Sequence, residues 1–285
     1  MVKSLVGELV KRDTRFRTGF ILMIIIVFMS ILSFFSPVDP YSTYYAPVNR
    51  PPSLEYWLGT DSRGQDVFWM MTFALKNSIV FGLIAAAVSR LIALLFGTIS
   101  GYIGGKTDSV LMIINDSFIT LPVLLVIILI GMVFRRLSFF PLAIVMGLLG
   151  WPWDSRLFRS QILSLKERKL TYTARFSGMS TFNIIFKIYF PHLLPIFLST
   201  FINNMIWSLG LEVTLSVLGL TNLQLPTIGT TIYWANQHQA LILGIWWWLA
   251  APIAGAIVLF TALYLLSVSI NEYVDPRIRY QQGSF

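Results

Sequence analysis

The sequence predicts an all-α integral membrane protein with six transmembrane helices. Of its 285 residues, 56% are hydrophobic and only 12% are charged, whereas about a quarter of a soluble domain is charged. A transmembrane helix needs about 20 mostly apolar residues. Runs that approach or exceed this length occupy residues 20–36, 78–103, 110–134, 141–157, 192–220 and 241–270. The bilayer is therefore the main solvent of this chain.

Basic residues are unevenly divided between the segments that join these runs. The external segments of a six-span chain would hold Arg50, Arg63, Arg135 and Arg136. The cytoplasmic segments would hold Lys3, Lys11, Arg12, Arg15, Arg17, Lys106, Arg156, Arg159, Lys166, Arg168, Lys169, Arg175, Lys187, Arg277 and Arg279. Because cytoplasmic loops carry an excess of Lys and Arg, both termini are expected in the cytoplasm. This bias also accounts for the net charge of +8, so nucleic acid is not an expected partner.

Each predicted element follows from local composition. Residues 1–19 form a basic cytoplasmic segment, and residues 20–36 form the first transmembrane anchor. That run is long for a signal-peptide core and no small-residue cleavage site follows it, so we expect it to stay uncleaved. Residues 37–74 contain Pro, Tyr and Asp with only two basic residues and are predicted to be external.

Residues 75–272 are predicted to form a core of five helices, and residues 273–285 a cytoplasmic tail. The first core helix ends at the glycine pair 104–105. Gly97, Gly101 and Gly105 recur every four residues and form a face on which another helix can pack closely. The sequence leaves open whether that contact lies within this chain or with a partner.

A polar, basic segment at residues 166–191 interrupts the hydrocarbon-like core. The sequence predicts a first helix that ends near Gly178 and a second that begins after Ser180, which is a favoured N-cap residue. An apolar stripe at helical spacing follows, at Phe182, Ile185, Phe186 and Tyr189. Pro191 is expected to end the second helix. Physics alone leaves two interpretations, a helix in the lipid interface and a protein-docking surface.

A family resemblance favours docking. The order Ala174-Arg175-x-x-Gly178-x-Ser180, with Pro191 thirteen residues after the glycine, resembles the EAA loop of ABC-transporter permeases in the dipeptide/oligopeptide/nickel importer group. Further matches are LGTDSRGQDVF at 58–68, GYIGGKTDSVLM at 101–112, LEVTLSVLGL at 211–220 and DPRIR at 275–279. Two departures are Tyr172-Thr173-Ala174 in place of Glu-Ala-Ala, and Gln65 in place of the arginine before Asp-Val.

The resemblance implies a type-I ABC importer permease fold in the cell membrane of a prokaryote. A coupling helix at about residues 173–186 would dock on an ATPase and respond to closure of the ATPase dimer. The implied partners are a second homologous permease, two ATPase subunits, an external solute-binding protein and the lipid bilayer. ATP and Mg would bind to the ATPases, and this chain would hold no cofactor. The implied coupling residues are Tyr172, Thr173, Ala174, Gly178, Met179, Ser180, Thr181, Phe182 and Phe186.

Polar residues within the apolar runs are candidates for the transport pathway or its gate, because such residues usually face a protein interior or a water-filled path. They are Glu212, Arg90, Asn203 and Asn204. For Glu212 the competing interpretations are pathway lining and a structural ion pair with Arg90 or Lys76, and a structural or gating role is favoured over direct substrate contact. The phosphate-loop-like stretch 101–107 lacks a glycine at residue 100 and a preceding strand, so nucleotide binding there is not expected.

The sequence restricts the substrate only loosely. A peptide is the first hypothesis, and an oligosaccharide is the alternative from the same group. Nickel is less favoured because His238 is the only histidine in a predicted external segment and has no ligand cluster around it. Trp234 and residues 246–248 are predicted to form an aromatic belt at the membrane interface. A self-sufficient secondary transporter is the rival from another class, and it would require inverted repeats and midplane ion ligands. No catalytic constellation is present, so enzymatic activity is not expected.

Overall fold

A computed structural model describes residues 7, 9–10, 13–133 and 138–274, which form α-helices, turns and loops. The basic tail motif at 275–279, and Arg135 and Arg136, which the sequence predicts to be external, lie outside these residues. A 3-10 turn, Ser33–Phe35, follows the helix that ends at Leu32. A π-helical turn, Ile185–Tyr189, joins the helix that ends at Ile184 to the helix that begins at Phe190. The helices are α1 Thr14–Leu32, α2 Val67–Ile103, α3 Gly105–Ile119, α4 Val123–Val133, α5 Phe139–Leu149, α6 Pro152–Lys166, α7 Lys169–Phe176, α8 Thr181–Ile184, α9 Phe190–Val217, α10 Ile228–Gln237 and α11 Trp246–Val274.

Four stretches in the described part of the chain are long and apolar enough to cross a membrane. They are Thr14–Phe35, Val67–Ile103, Thr181–Val217 and Trp246–Tyr273. Helices α3 and α4 make a fifth if they count as one broken span, bent by 73°. The remaining apolar helix, α5, has only 11 residues. The all-helical membrane class is therefore confirmed, and the structure describes four or five long spans.

The fourth predicted run, residues 141–157, is two helices. Helix α5 ends at Leu149 and α6 begins at Pro152, with Gly150 and Trp151 between them. Proline lacks an amide proton and suits the first turn of a helix, so the chain restarts there as the amphipathic α6. The second predicted run, 78–103, begins earlier, at Val67, because the Asp66 side chain accepts a hydrogen bond from the Phe68 amide and caps α2.

Helix α2 is the central element of the fold. Its 37 residues span about 55 Å at 1.5 Å per residue. It packs against α5, α6 and α9. At its C-terminal part, a Cβ on Gly97 would lie 2.6 Å from the Ser155 carbonyl oxygen, and one on Gly101 would lie 2.9 Å from the Arg159 carbonyl oxygen. The predicted glycine face is thus an internal contact with α6 at these two residues, while Gly105 has open space around it.

Loops and the short helix α10 cover the N-terminal end of α2. We call this region the cap and define it as residues 36–66 and 218–245, as distinct from the N-cap residue Asp66. Asn77 donates a hydrogen bond to the Pro226 carbonyl oxygen, and Ser78 accepts one from the Ile228 amide. At the other end of α2, the Tyr102 hydroxyl donates to Thr181, which lies in the segment of residues 169–189. The cap and this segment therefore occupy opposite ends of the longest helix.

The tryptophans of α10 and of the first turn of α11 lie in or beside the cap, and most of them pack within the protein. Trp247 donates to the Thr60 carbonyl oxygen at 3.1 Å, and Trp234 donates to the Leu223 carbonyl oxygen at 2.9 Å. Trp248 is buried, and only Trp246 of the four predicted belt residues is exposed. Trp248 is therefore a core residue and not part of a belt, while Trp234 and Trp247 are half-buried and direct their indole protons into the protein.

Asp61 organises the turn in the first half of the cap. Its buried carboxylate accepts hydrogen bonds from the backbone amides of Arg63 and Gln65. Burial raises the pKa of Asp61 from its usual value of 3.8 to about 6, against the opposing effect of these hydrogen bonds and of the Arg63 charge. The Arg63 guanidinium lies 4.5 Å from the centre of the Trp234 ring, which ties this turn to α10.

We expect Gly97→Ala to destabilise the protein by about 1–3 kcal/mol, because the added methyl group overlaps the backbone of α6. The matched control is Gly210→Ala in α9, where the space is open and the change should be neutral or stabilising. Thermal unfolding of the purified chain in lipid nanodiscs measures both. Equal melting temperatures for the Gly97 variant and the wild type would contradict the close α2–α6 contact.

We expect the free energy of unfolding to fall as the pH rises between about 4 and 6, with a contribution from Asp61 of up to about 1.4 kcal/mol for each pH unit. The sign follows from the raised pKa, since the folded state holds this proton more tightly than the unfolded chain. Asp61→Asn keeps the acceptor oxygen and should remove this slope. Asp39→Asn, at an exposed aspartate that also accepts a backbone amide hydrogen bond, should leave it in place.

Candidate functional site

The segment of residues 169–189, which we call the hairpin, contains α7, a tight turn and α8. The turn is closed by two hydrogen bonds, from the Gly178 amide to the Arg175 carbonyl and from the Met179 amide to the Ala174 carbonyl. This is the Schellman arrangement, which needs a residue with positive φ. Gly178 has a φ of +76° and no atom near the position of a Cβ. Its role is therefore the turn conformation and not a close contact. Ser180 caps α8 by accepting from the Asn183 amide, as predicted.

The inner face of the hairpin is buried against the rest of the protein. Ala174, Ile184 and Tyr189 form one apolar cluster with residues of α2 and α6, including Phe158 and Ile162. The Thr171 hydroxyl is buried and donates to the Leu165 carbonyl oxygen at 2.7 Å. The hairpin is thus fixed to α6 by side-chain packing and by a buried hydrogen bond, and it is not a loose tether.

The outer face of the hairpin is apolar and uncovered. Phe176 is 90% exposed and Phe182 is 67% exposed. The rings of Phe182 and Phe186 lie 4.3 Å apart and form one surface. Further exposed apolar residues are Leu170, Tyr172 and Met179. The exposed basic residues Lys169, Arg175 and Lys187 lie on the same segment, and the exposed Arg168 directly precedes it. A patch of this kind marks a surface that contacts another molecule.

The predicted apolar stripe of α8 is divided between two faces. Phe182 and Phe186 are exposed, whereas Tyr189 is fully buried and Ile185 packs against the inner cluster. The expectation that Pro191 ends this helix is wrong. The π-helical turn at Ile185–Tyr189 precedes it, and the helix continues to Val217. Pro191 lies in the first turn of α9, where its missing amide proton costs little.

Tyr102 at the end of α2 joins the hairpin to the central helix. Besides the hydrogen bond from its hydroxyl to Thr181, its carbonyl oxygen accepts from the Lys166 ammonium at 2.9 Å. The Arg175 guanidinium lies 5.6 Å from the centre of its ring. Nearby, Arg159 of α6 forms a two-pronged ion pair with Asp108 of α3. The hairpin therefore contacts α2 and α6 directly, and α6 is joined to α3 by the Arg159–Asp108 ion pair.

The break between α5 and α6 is the meeting point of three helices. The Gly150 carbonyl oxygen accepts from Arg90 of α2 at 2.8 Å and from Asn204 of α9 at 3.2 Å. Arg90 is completely buried and forms an ion pair with Asp154 in the first turn of α6. A Cβ on Gly150 would lie 2.8 Å from both the Asn204 amide nitrogen and the Trp207 ring. Glycine is needed here because a side chain would collide with Asn204 and Trp207, which pack directly against the backbone.

A cavity of about 400 Å³ opens beside this break. Its polar lining comes from Asp154, Asn203 and Asn204, and its aromatic lining includes Trp153 and Trp207. The Asn204 side-chain oxygen is buried and has no hydrogen-bond partner among the described residues. Asn203 accepts from the Ser267 hydroxyl of α11 at 2.7 Å. The cavity is lined by neutral polar groups and by an aspartate whose charge is balanced by Arg90.

The structure brings three of the four predicted pathway residues together and separates the fourth. Arg90, Asn203 and Asn204 surround or line the cavity, whereas Glu212 does not line it. Glu212 accepts from the hydroxyls of Ser216 and Thr227. The alternative of an ion pair between Glu212 and Arg90 or Lys76 is wrong. Arg90 pairs with Asp154, and the Lys76 ammonium lies over the rings of Phe34 and Phe73.

Sequence reasoning missed Asp154, Trp153 and Gly150. The signal was the stretch Gly-Trp-Pro-Trp-Asp at 150–154, in which a glycine, a proline and an acidic residue mark the end of one helix and the start of the next. The hydropathy pattern does not show this helix break, because Trp151 and Trp153 keep the apolar run continuous.

Comparison with known proteins agrees with this geometry. Residues 93–280 match the family described as the binding-protein-dependent transport system inner membrane component, and they include the hairpin, the helix break and most of the cavity lining. The chain is 29% identical over 260 residues to the dipeptide transport system permease protein DppC of Bacillus subtilis, covering 91% of this chain and 81% of that protein. It is also 29% identical over 263 residues to the oligopeptide transport system permease protein OppC of Bacillus subtilis, covering 92% and 85%.

A third relative is the probable D,D-dipeptide transport system permease protein DdpC of Escherichia coli. It is 28% identical over 260 residues, covering 89% of this chain and 86% of that protein. The resemblance drawn from the sequence motifs is thereby confirmed. The matched region exceeds half of the chain, and the chain belongs to the family of binding-protein-dependent transport system inner membrane components.

Proposed function

We propose that this permease subunit imports peptides, and that an ABC ATPase drives it by docking on the outer face of the hairpin. The observation that carries the proposal is the exposed aromatic surface of Phe176, Phe182 and Phe186 on a hairpin whose inner face is buried. A buried inner face makes the hairpin rigid, and an exposed outer face leaves it free to bind a partner. Large exposed aromatic residues are also the type that anchors protein interfaces.

Movement would pass from the hairpin to the cavity through packed contacts. The hairpin rests on α6, and α6 begins at the break where Arg90, Asp154 and Gly150 meet. A shift of α6 along α2 therefore changes the cavity wall at Trp153 and Asp154. Switching by small displacements of packed helices is a common mode of allosteric transition. ATP and Mg are assigned to the ATPase partner and not to this chain.

The cavity supports the assignment of peptide as the substrate. Asn203 and Asn204 offer uncharged hydrogen-bonding groups, and a peptide backbone needs such groups whatever its side chains are. The relatives named above are dipeptide and oligopeptide permeases. Oligosaccharide is the second candidate, since Trp153 is 68% exposed beside the cavity and a flat ring suits a sugar face.

A second, homologous permease would complete the pathway. The outward sides of α3 and α4 are apolar and uncovered, with Ile113, Leu125 and Leu129 exposed, and α3 and α4 both contribute residues to the cavity. A partner helix packed there would close the cavity laterally. We assign six crossings, with α3 and α4 as one bent span and α5 as a short one, so that the hairpin lies in the cytoplasm and the cap lies outside. A solute-binding protein would then deliver the substrate to the cap side, and the ATPases would number two.

We expect the double variant Phe182→Ala, Phe186→Ala to weaken ATPase association by about thirtyfold, because truncation of aromatic anchors costs about 2 kcal/mol or more. Binding of the purified ATPase to the permease in nanodiscs measures this, and uptake of a radiolabelled dipeptide by the assembled transporter should fall with it. Leu54→Ala, at a 99% exposed residue of the cap, is the control and should leave ATPase binding unchanged. Wild-type ATPase affinity in the double variant would refute the docking assignment.

We expect a cysteine in the hairpin and a cysteine in the cap to react on opposite sides of the membrane, because these two segments lie at opposite ends of α2. The chain has no native cysteine, so single replacements report cleanly. Ser177→Cys in the hairpin should be protected from a membrane-impermeant maleimide in intact spheroplasts and should react after lysis. Leu54→Cys in the cap should react in intact spheroplasts. Labelling of Ser177→Cys from outside would place the hairpin beyond the reach of any ATPase.

A further inference from the structure

A fully buried carboxylate lies outside the transport cavity and has an incomplete set of partners. Glu212 of α9 is 2% exposed. Its Oε1 atom accepts two hydrogen bonds, from the Ser216 hydroxyl at 2.8 Å and from the Thr227 hydroxyl at 2.7 Å. Its Oε2 atom is buried and has no hydrogen-bond partner within the described ranges. Both donors therefore serve one oxygen, and the other oxygen is left without a donor.

The hydroxyl groups around Glu212 have no proton left for Oε2. Ser216 gives its proton to Glu212, so the 2.9 Å contact between Ser216 and Thr221 must use the Thr221 proton. Thr227 gives its proton to Oε1, and Thr230 gives its proton to the Leu225 carbonyl oxygen at 2.9 Å. The hydroxyl groups of Thr221, Thr227 and Thr230 therefore have oxygen lone pairs, but no proton, available for a further partner.

A small pocket lies against this carboxylate. Its polar lining consists of Glu212, Thr221, Asn222, Thr227 and Thr230, and the rest of the wall is apolar, from Phe81, Phe139 and Leu142. The free space is about 10 Å³, which is room for one occupant about the size of a water molecule. The pocket thus combines a carboxylate and three hydroxyl oxygens around a single small space, beside the Asn222 side chain, whose oxygen accepts from the Gln224 backbone amide.

The charge of Glu212 needs a compensating charge. A buried ionised carboxylate is unfavourable unless it is paired or bound to a metal ion, and without such a partner it takes up a proton. The two cations considered for that role are committed elsewhere, Arg90 to Asp154 and Lys76 to the rings of Phe34 and Phe73. The pocket itself is lined by no basic side chain.

We propose that this pocket binds one monovalent cation, with Glu212 Oε2 as its charged ligand and the hydroxyl oxygens of Thr221, Thr227 and Thr230 as neutral ligands. Carboxylate and hydroxyl oxygens are ligands of hard cations. A single carboxylate balances one positive charge, so a divalent ion would leave an excess charge in the apolar surroundings. The site joins α9 to the turn that leads into α10, and a bound ion would fasten this half of the cap to the membrane core. This goes beyond the proposed import function and does not depend on it.

The test is thermal unfolding of the full chain in nanodiscs, with sodium chloride exchanged for N-methyl-D-glucamine chloride at constant ionic strength. Above the dissociation constant, each tenfold rise in sodium should raise the ratio of folded to unfolded protein about tenfold. Glu212→Gln keeps the shape and removes the charge, and it should abolish the response. Thr221→Val should weaken it. The matched control is Ser208→Ala, one turn earlier in α9, where the hydroxyl bonds only to the Met205 carbonyl, and it should respond like the wild type.

Each outcome decides the proposal. An equal response to sodium and potassium supports a monovalent cation site without selectivity between the two ions. A wild type that melts at the same temperature in sodium, potassium and N-methyl-D-glucamine overturns it, and so does a full sodium response in Glu212→Gln. Stabilisation by acid alone, reproduced by Glu212→Gln without any cation, would show that Glu212 carries a proton instead. If Glu212→Gln does not fold, the wild-type cation titration and the Thr221→Val variant still decide the question.

Discussion

The close contact between α2 and α6 at Gly97 and Gly101 is the constraint on which the rest of the structure depends. Any side chain at Gly97 would overlap the backbone of α6. Because α6 leads directly into the hairpin, this contact sets the position of the hairpin relative to the longest helix. It also places Tyr102 where it reaches both Thr181 and Lys166. The position of the exposed hairpin face is therefore set by backbone packing and not by the local sequence of the hairpin alone.

The break at Gly150 links that packing to the cavity. A buried arginine such as Arg90 is tolerated only with an anionic partner and further hydrogen bonds, and Asp154 and the Gly150 carbonyl supply them. The same carbonyl also holds Asn204 of α9. One peptide group at the start of α6 thus joins three helices. A displacement of α6 by a partner at the hairpin would reach the cavity wall without a long chain of intermediates.

Much of the candidate site was predictable because it depends on neighbours in sequence. The turn at Gly178, the Ser180 cap and the aromatic pair Phe182 and Phe186 are properties of one short segment. Glycine marks the turn, serine marks the N-cap, and the helical period identifies the aromatic pair. The two faces of α8 were not predictable, because the stripe of four apolar residues does not say which of them the protein buries. The continuation through Pro191 was missed for a related reason, since a π-helical turn is not visible in hydropathy.

The sequence by itself determined the membrane class, the position of the hairpin between apolar runs and the family, because run length, charge bias and short motifs are local or additive properties. Only the tertiary structure decided the partners of the buried polar groups. Arg90 finds Asp154, and Glu212 finds Thr227 across a turn. Such pairs form between residues far apart in the chain, so they exist only after helix packing has brought the residues together. A carboxylate in an apolar run predicts a polar partner, but the sequence does not show which residue that partner is.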